Sequence, residues 1–141
     1  MKSLLVAVLL VASTTLMAHT SASSFQESLA LRQTEQLVKH LDLSKKQANK
    51  ILTINQDYAR RNAMLFAQRM YLQSLDLMND TIQQTFIQAL SIRFDARKLE
   101  IKAVLNNNQL VSYDTMLPDL KKDLYKSIRF MRESTRERYD S

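Results

Sequence analysis

The sequence predicts an all-α protein built around a long antiparallel helical hairpin with flanking N- and C-terminal helices. Three observations carry this expectation. Glycine is absent and proline occurs once in 141 residues, so the chain lacks the residues that most readily take positive φ or break a helix. Apolar residues recur at steps of three and four over long stretches, the period of a helix with one buried face. Four candidate helix starts share one local chemistry: Ser24 to Glu27, Ser44 to Gln47, Asp80 to Gln83 and Asn106 to Gln109. Each sets a capping oxygen three residues ahead of a Glu or Gln that can reach back to the cap's own amide.

Residues 1–22 are set aside from the fold. Lys2 supplies a positive charge, Leu4 to Ala12 an apolar run, and Ser13 to Ala22 a small or weakly polar stretch, the three-part pattern of a secretory signal peptide. The run is short for a bilayer span, and without cysteine it offers no lipid attachment point. Cleavage is expected after Ala18 or Ala22, the second leaving 23–141 as a single helical domain of an exported chain. The alternative is an uncleaved N-terminal anchor.

Within that domain the first helix is expected from Phe25 to His40, the second from Lys45 to Met78 and the third from Thr81 to Val104. A break at Asn79-Asp80 favours an antiparallel return. A short fourth helix is expected from Asn107 to Met116, and a fifth from Pro118 to Tyr139 carrying Leu120, Leu124, Ile128 and Met131 on one side. Proline is acceptable in a first turn, where its missing amide has no partner to lose. On the second helix Ala48, Leu52, Asn55, Ala59, Asn62, Phe66, Met70, Gln73 and Leu77 form one stripe; on the third, Gln83, Ile87, Leu90, Phe94, Arg97, Ile101 and Val104 form another. The stripes are expected to face each other, with buried amides fixing the register. Met64, Leu65, Tyr71, Leu72, Leu75 and Met78 on the second helix, and the line Ile82, Phe86, Ala89, Ile92, Ala96, Leu99, Ala103 on the third, are apolar residues that this seam does not use. They call for cover by the flanking helices, by a second copy in a homodimer, or by protein clients.

Composition narrows the function. The absence of glycine removes phosphate-cradling loops, dinucleotide fingerprints and the nucleophile elbow, and the absence of cysteine removes disulfides, thiolate chemistry and cysteine metal sites. His40 beside Asp42 reads as structural rather than as a zinc ligand. No catalytic set, metal site or cofactor is therefore expected, and the chain is not read as an enzyme. The formal charge is +6, one fewer once Lys2 leaves with the signal. Such a basic protein attracts acidic groups, but export argues against nucleic acid as the partner. Arg60, Arg61, Met64, Phe66, Arg69, Tyr71, Arg93 and Arg97 are the candidate client-binding residues, because unfolded chains present acidic and apolar groups together. For any one of these arginines, an ordinary solvated helix face is the competing reading.

Leu43-Ser44-Lys45-Lys46-Gln47 and Leu105-Asn106-Asn107-Asn108-Gln109 resemble two degenerate copies of the Leu-Thr-x-x-Gln motif of the Spy/CpxP family of periplasmic chaperones and stress-response adaptors. The resemblance runs from about Leu29 to Met116, with serine and asparagine where the motif prefers threonine; both can cap a helix. It implies a small, curved, dimeric helical cradle in the periplasm. Such a cradle binds unfolded or stressed envelope proteins without ATP, or relays stress to a membrane sensor. In that scheme Leu43 and Leu105 pack, Ser44 and Asn106 cap, and Gln47 and Gln109 close the boxes. Zinc-binding relatives use histidine-rich segments, and this chain has none. The alternative function is an envelope structural or partner-binding helical module without chaperone activity.

Overall fold

The computed structural model describes residue 24 and residues 26–136. Among these the regular elements are all helices: α1 over 26–41, α2 over Lys45–Ser74, α3 over Asp80–Lys102 and α4 over Asn107–Arg136. The expected signal peptide over 1–22 and the first-helix start at Phe25 lie outside the described residues. No helix among those described is long and apolar enough to cross a membrane.

The helix boundaries follow from local chemistry. At the start of α2, Ser44 Oγ accepts from the Gln47 amide at 3.2 Å while Gln47 Oε1 accepts from the Ser44 amide at 3.0 Å. At the start of α4, Asn106 Oδ1 and Gln109 Oε1 do the same at 2.9 and 3.0 Å. The α3 start corrects the sequence expectation by one place. Asn79, not Asp80, is the cap, its Oδ1 accepting from the Ile82 amide at 2.9 Å. Asp80 falls instead in the first turn, where its carboxylate faces the positive end of the helix dipole. α2 stops at Ser74, short of the expected Met78, because Asp76 turns left-handed at φ 57°. The Leu77 amide then reaches back to the Leu72 carbonyl and the Asp76 amide to that of Gln73, the paired closure that glycine usually provides. In a chain without glycine, aspartate takes this position because its short polar side chain tolerates the left-handed region.

α3 packs against both α2 and α4. Leu37 and Leu41 of α1, Ile51 and Leu65 of α2, Phe86, Ile87, Leu90, Phe94 and Ile101 of α3, and Tyr113, Leu120, Leu124 and Ile128 of α4 form one core. On α3 the expected stripe faces inward from Gln83 to Ile101. On α2 the buried line runs through Ile51, Asn55, Ala59, Asn62, Leu65 and Arg69, so Met70 and Leu77, expected in the seam, are exposed instead. Continuing from Asn62 by steps of three and four through Leu65 and Arg69 keeps the stripe in phase, whereas the step from Phe66 to Met70 lets it drift outward.

The C-terminal half is one helix rather than two. Pro118 lies inside α4 and leaves the Asp114 carbonyl without its usual amide, a defect worth about 3 kcal/mol in a helix interior. Asp114 and Pro118 both face solvent, where water can take the freed carbonyl. On the opposite side Tyr113, Leu120, Leu124 and Ile128 are buried, each contributing roughly 1.5–3 kcal/mol. Continuing the apolar line across the proline outweighs the lost bond.

Candidate interaction surface

Two polar assemblies hold the bundle and determine which residues remain outside. The first joins the two motifs. Gln47 Nε2 donates to Gln109 Oε1 at 2.7 Å and to the Val104 carbonyl at 3.0 Å. Gln109 Nε2 donates to Gln47 Oε1 at 3.1 Å and toward the Leu41 and Asp42 carbonyls at 3.2 and 3.4 Å. Each oxygen also accepts from its own cap amide. A primary amide has two donors and two acceptor sites, and both amides use all of them. The clasp ties the α1–α2 connection to the α3–α4 connection. Only glutamine fits both places, since a carboxylate has nothing to donate. Leu43 and Leu105 are half-buried against the core.

The second assembly surrounds Arg97, which is 3 % exposed. Its guanidinium lies over the Tyr58 ring, 4.2 Å from the centroid, and 5.1 Å from that of Phe94, and its Nη1 donates to Gln33 Oε1. Gln33 in turn donates to Asp123 Oδ2 at 3.3 Å, which links α1, α3 and α4. Burial pushes the Arg97 guanidinium below its ordinary pKa, an effect opposed by Tyr58, Tyr113 and Asp123; arginine stays protonated throughout. Burial also raises the Tyr113 phenol to about 12, against the pull of Arg97. Beside the guanidinium, a cavity of about 10 Å³ is lined in part by Gln33, Asn62 and Asp123, room for one water at most. Asn55 adds a further tie, donating to Thr34 Oγ1 at 2.8 Å.

The proposed client-binding residues therefore divide. Arg69, 3 % exposed, and Arg97 lie inside the bundle and are not part of a solvent-facing surface, which corrects the expectation drawn from their charge. Arg60, Arg61, Met64 and Tyr71 are exposed; Phe66 and Arg93 are half-buried. Met64, at 55 % exposure, and Tyr71 share one side of α2, and its C-cap Leu75 continues that side at steps of seven and four, with Arg60 and Arg61 one turn before them. Arg61 pairs with Asp57 at 2.7 Å, and Arg60 approaches the same carboxylate at 4.0 Å. Arg93 donates across from α3 to the Arg61 carbonyl. The outcome is a partly neutralised basic rim beside an open apolar strip, extended at the bend by Leu77.

Gln33, Asp123 and Tyr113 were absent from the sequence-derived site. Nothing local marks them, but Arg97 sits in phase with Phe94 and Ile101, and a cation in a buried phase implies polar neighbours. Among the described residues, no group of three or more His, Cys, Asp or Glu could hold a metal ion.

These features define a small helical protein braced by internal amide and guanidinium networks, with apolar side chains open on its outer faces. The chain belongs to the family described as a domain of unknown function (DUF4890), whose model matches residues 17–113, a span that includes both glutamine boxes. No curated protein and no solved structure matches it.

Proposed function

We propose that this protein is a periplasmic, ATP-independent chaperone or envelope-stress adaptor that holds unfolded or partner proteins, and that it is not an enzyme. The observation that carries the reading is the strip Met64, Tyr71 and Leu75 with its arginine rim, apolar side chains left in solvent on a helix whose other side is well packed. Methionine and tyrosine adapt to varied partners, and the rim favours clients that carry carboxylates. In this reading the signal peptide over 1–22 directs export, and the likeness to the Spy/CpxP family extends to function. α2 and α3 act as an antiparallel hairpin, half of a dimeric cradle. The hairpin is supported by two contacts: Gln47 touches the Val104 carbonyl, and Arg93 the Arg61 carbonyl, pairing early α2 with late α3 and middle with middle.

A second reading, an envelope structural or partner-binding module without chaperone activity, is favoured by the bare outer face of α3, where Ile92 and Leu99 are open to solvent. Light scattering separates the two. A chemically denatured client diluted with this protein, in the absence of ATP, is expected to aggregate less at near-equimolar ratio. Aggregation that is unchanged at several-fold excess would favour the second reading.

A further inference from the structure

The second half of α4 divides its residues sharply by face. Leu120, Leu124 and Ile128 are buried in the core, while the side chains of Lys122, Lys126 and Arg129 are 69, 73 and 75 % exposed. In the sequence the basic line runs Lys122, Lys126, Arg129, Arg132, Arg136, and steps of four, three, three and four keep to one side of a helix. From first to last it covers about 21 Å of the axis. Between Pro118 and Arg136 six basic residues stand against three acidic ones, a surplus of three that is half the formal charge of +6 of the whole chain. This segment lies beyond the span 17–113 that the family model matches.

We propose that the outer face of α4 docks the protein against an anionic phospholipid surface. The inference goes beyond client holding by α2 and does not depend on it. Each Lys or Arg brought near such a surface strengthens binding by about fivefold, and a straight row on one helix presents its charges to a plane together. Tyr125, 60 % exposed, stands on the same face between Lys122 and Arg129. It offers a ring with a polar tip, the side chain that settles at headgroup depth.

The neighbouring carboxylates do not close this face. Lys122 bonds Asp119 at 2.6 Å, Lys126 approaches Asp123 at 3.7 Å and Arg129 approaches Glu133 at 3.6 Å. Ion pairs whose cations are this exposed contribute little and exchange partners readily. Asp123 is also shared with Gln33 at 3.3 Å and Arg32 at 3.8 Å, which draws its charge toward α1 and away from Lys126. Lipid suits the face better than an acidic protein does. A protein interface is centred on apolar side chains withdrawn from water, and from Pro118 onward the described outer face offers only Tyr125. The apolar side of α4 is already spent in the core, so attachment is peripheral and governed by salt rather than by insertion.

Co-sedimentation of the protein, as cells produce it, with lipid vesicles tests the assignment. Equimolar phosphatidylglycerol–phosphatidylcholine vesicles are expected to carry it down and pure phosphatidylcholine vesicles are not. Equal binding to both would mean attachment through the apolar N-terminal run, and binding to neither would leave the face without its lipid; each overturns the proposal. At roughly 1 M salt, where the screening length falls to about 3 Å, the protein should be released. The combined variant Lys122→Gln, Lys126→Gln and Arg129→Gln should bind at least on the order of tenfold more weakly, with a melting curve close to that of the parent. A control that loses the same charge elsewhere, Lys39→Gln, Lys46→Gln and Lys50→Gln, all exposed, should lose far less; equal losses would make net charge, not this face, the cause. The chain has no tryptophan, so Tyr125→Trp introduces a single reporter whose emission is expected to move to the blue on anionic vesicles. Unchanged emission on vesicles that carry the protein down would place another surface against the lipid. Binding of poly-glutamate without binding to the anionic vesicles would assign the face to an acidic polypeptide and overturn the lipid reading.

Discussion

Replacing Gln109 by glutamate preserves its shape and reverses its hydrogen-bonding logic. The amide nitrogen, a double donor, becomes a carboxylate oxygen placed against the Leu41 carbonyl, the Asp42 carbonyl and Gln47 Oε1, at the observed 3.2, 3.4 and 3.1 Å. All three are acceptors. Gln109 is buried, and loss of each of its two amide N–H bonds leaves an acceptor unpaired at about 1–3 kcal/mol; Gln109→Glu should therefore cost at least about 2 kcal/mol at neutral pH. The sign of the pH effect follows from the same contacts. Burial among acceptors disfavours the ionised carboxylate and raises its folded pKa above the unfolded value of about 4.3. A raised folded pKa means that the folded state holds the proton more tightly. The variant is thus most stable below the unfolded pKa and loses that stability as pH rises through the folded one. Urea denaturation of variant and parent at acidic and neutral pH measures this difference. A variant within about 0.5 kcal/mol of the parent at neutral pH, or a difference that does not change with pH, would refute the clasp.

Other consequences follow from the same structure. Ser44→Ala and Asn106→Ala should each lower stability by about 1 kcal/mol through loss of a cap, leaving client protection per folded molecule unchanged; loss of protection with an intact melting curve would assign the motif to binding. Arg97→Ala should cost roughly 3 kcal/mol or more, because it opens a cavity between Tyr58 and Phe94 and strands Gln33. Arg60→Ala, on the surface, should stay within about 0.5 kcal/mol, and equal effects in chemical denaturation would contradict the division between buried and exposed arginines. Because the folded Tyr113 phenol is raised to about 12 from an unfolded value near 10, its contribution is complete below about pH 10 and is lost between roughly pH 10 and 12, amounting to about 2–3 kcal/mol. Tyr113→Phe should remove that segment of the stability profile.

Much of the fold was legible because helix signals are local. The boxes at Ser44 and Asn106 need only four consecutive residues, and the inward phase of α3 is written in Ile87, Leu90, Phe94 and Ile101. The clasp was not legible, since Gln47 and Gln109 meet only after the helices pack, and nothing in either box specifies the other. Arg97 carried two conflicting signals, since its phase placed it inside and its charge outside, whereas Arg69 lay outside the expected stripe through Phe66 and Met70 and is buried because the true line runs through Leu65. Phase prevailed at Arg97 because two aromatic faces and Gln33 surround the cation there. Pro118 was read as a boundary from its local chemistry, but the apolar line from Tyr113 to Ile128 spans it. Arg60, Arg61, Met64 and Tyr71 are exposed, and Leu75 lies on the side of Met64 and Tyr71 because a helix returns to the same side every seven and eleven residues.

The central claim is that clients are held by the outer strip of α2. Its most direct test is the dissociation rate of a fluorescently labelled, denatured client from the parent and from a variant carrying Met64→Ser, Tyr71→Ser and Leu75→Ser. All three residues are exposed, Tyr71 the least at 39 %, so the fold should be preserved, which the melting curve checks. The strip is expected to govern retention, with release from the variant at least on the order of tenfold faster for acidic and neutral clients alike, as lost apolar contact predicts. A folded variant that retains the client as long as the parent does would place client binding elsewhere and contradict the account.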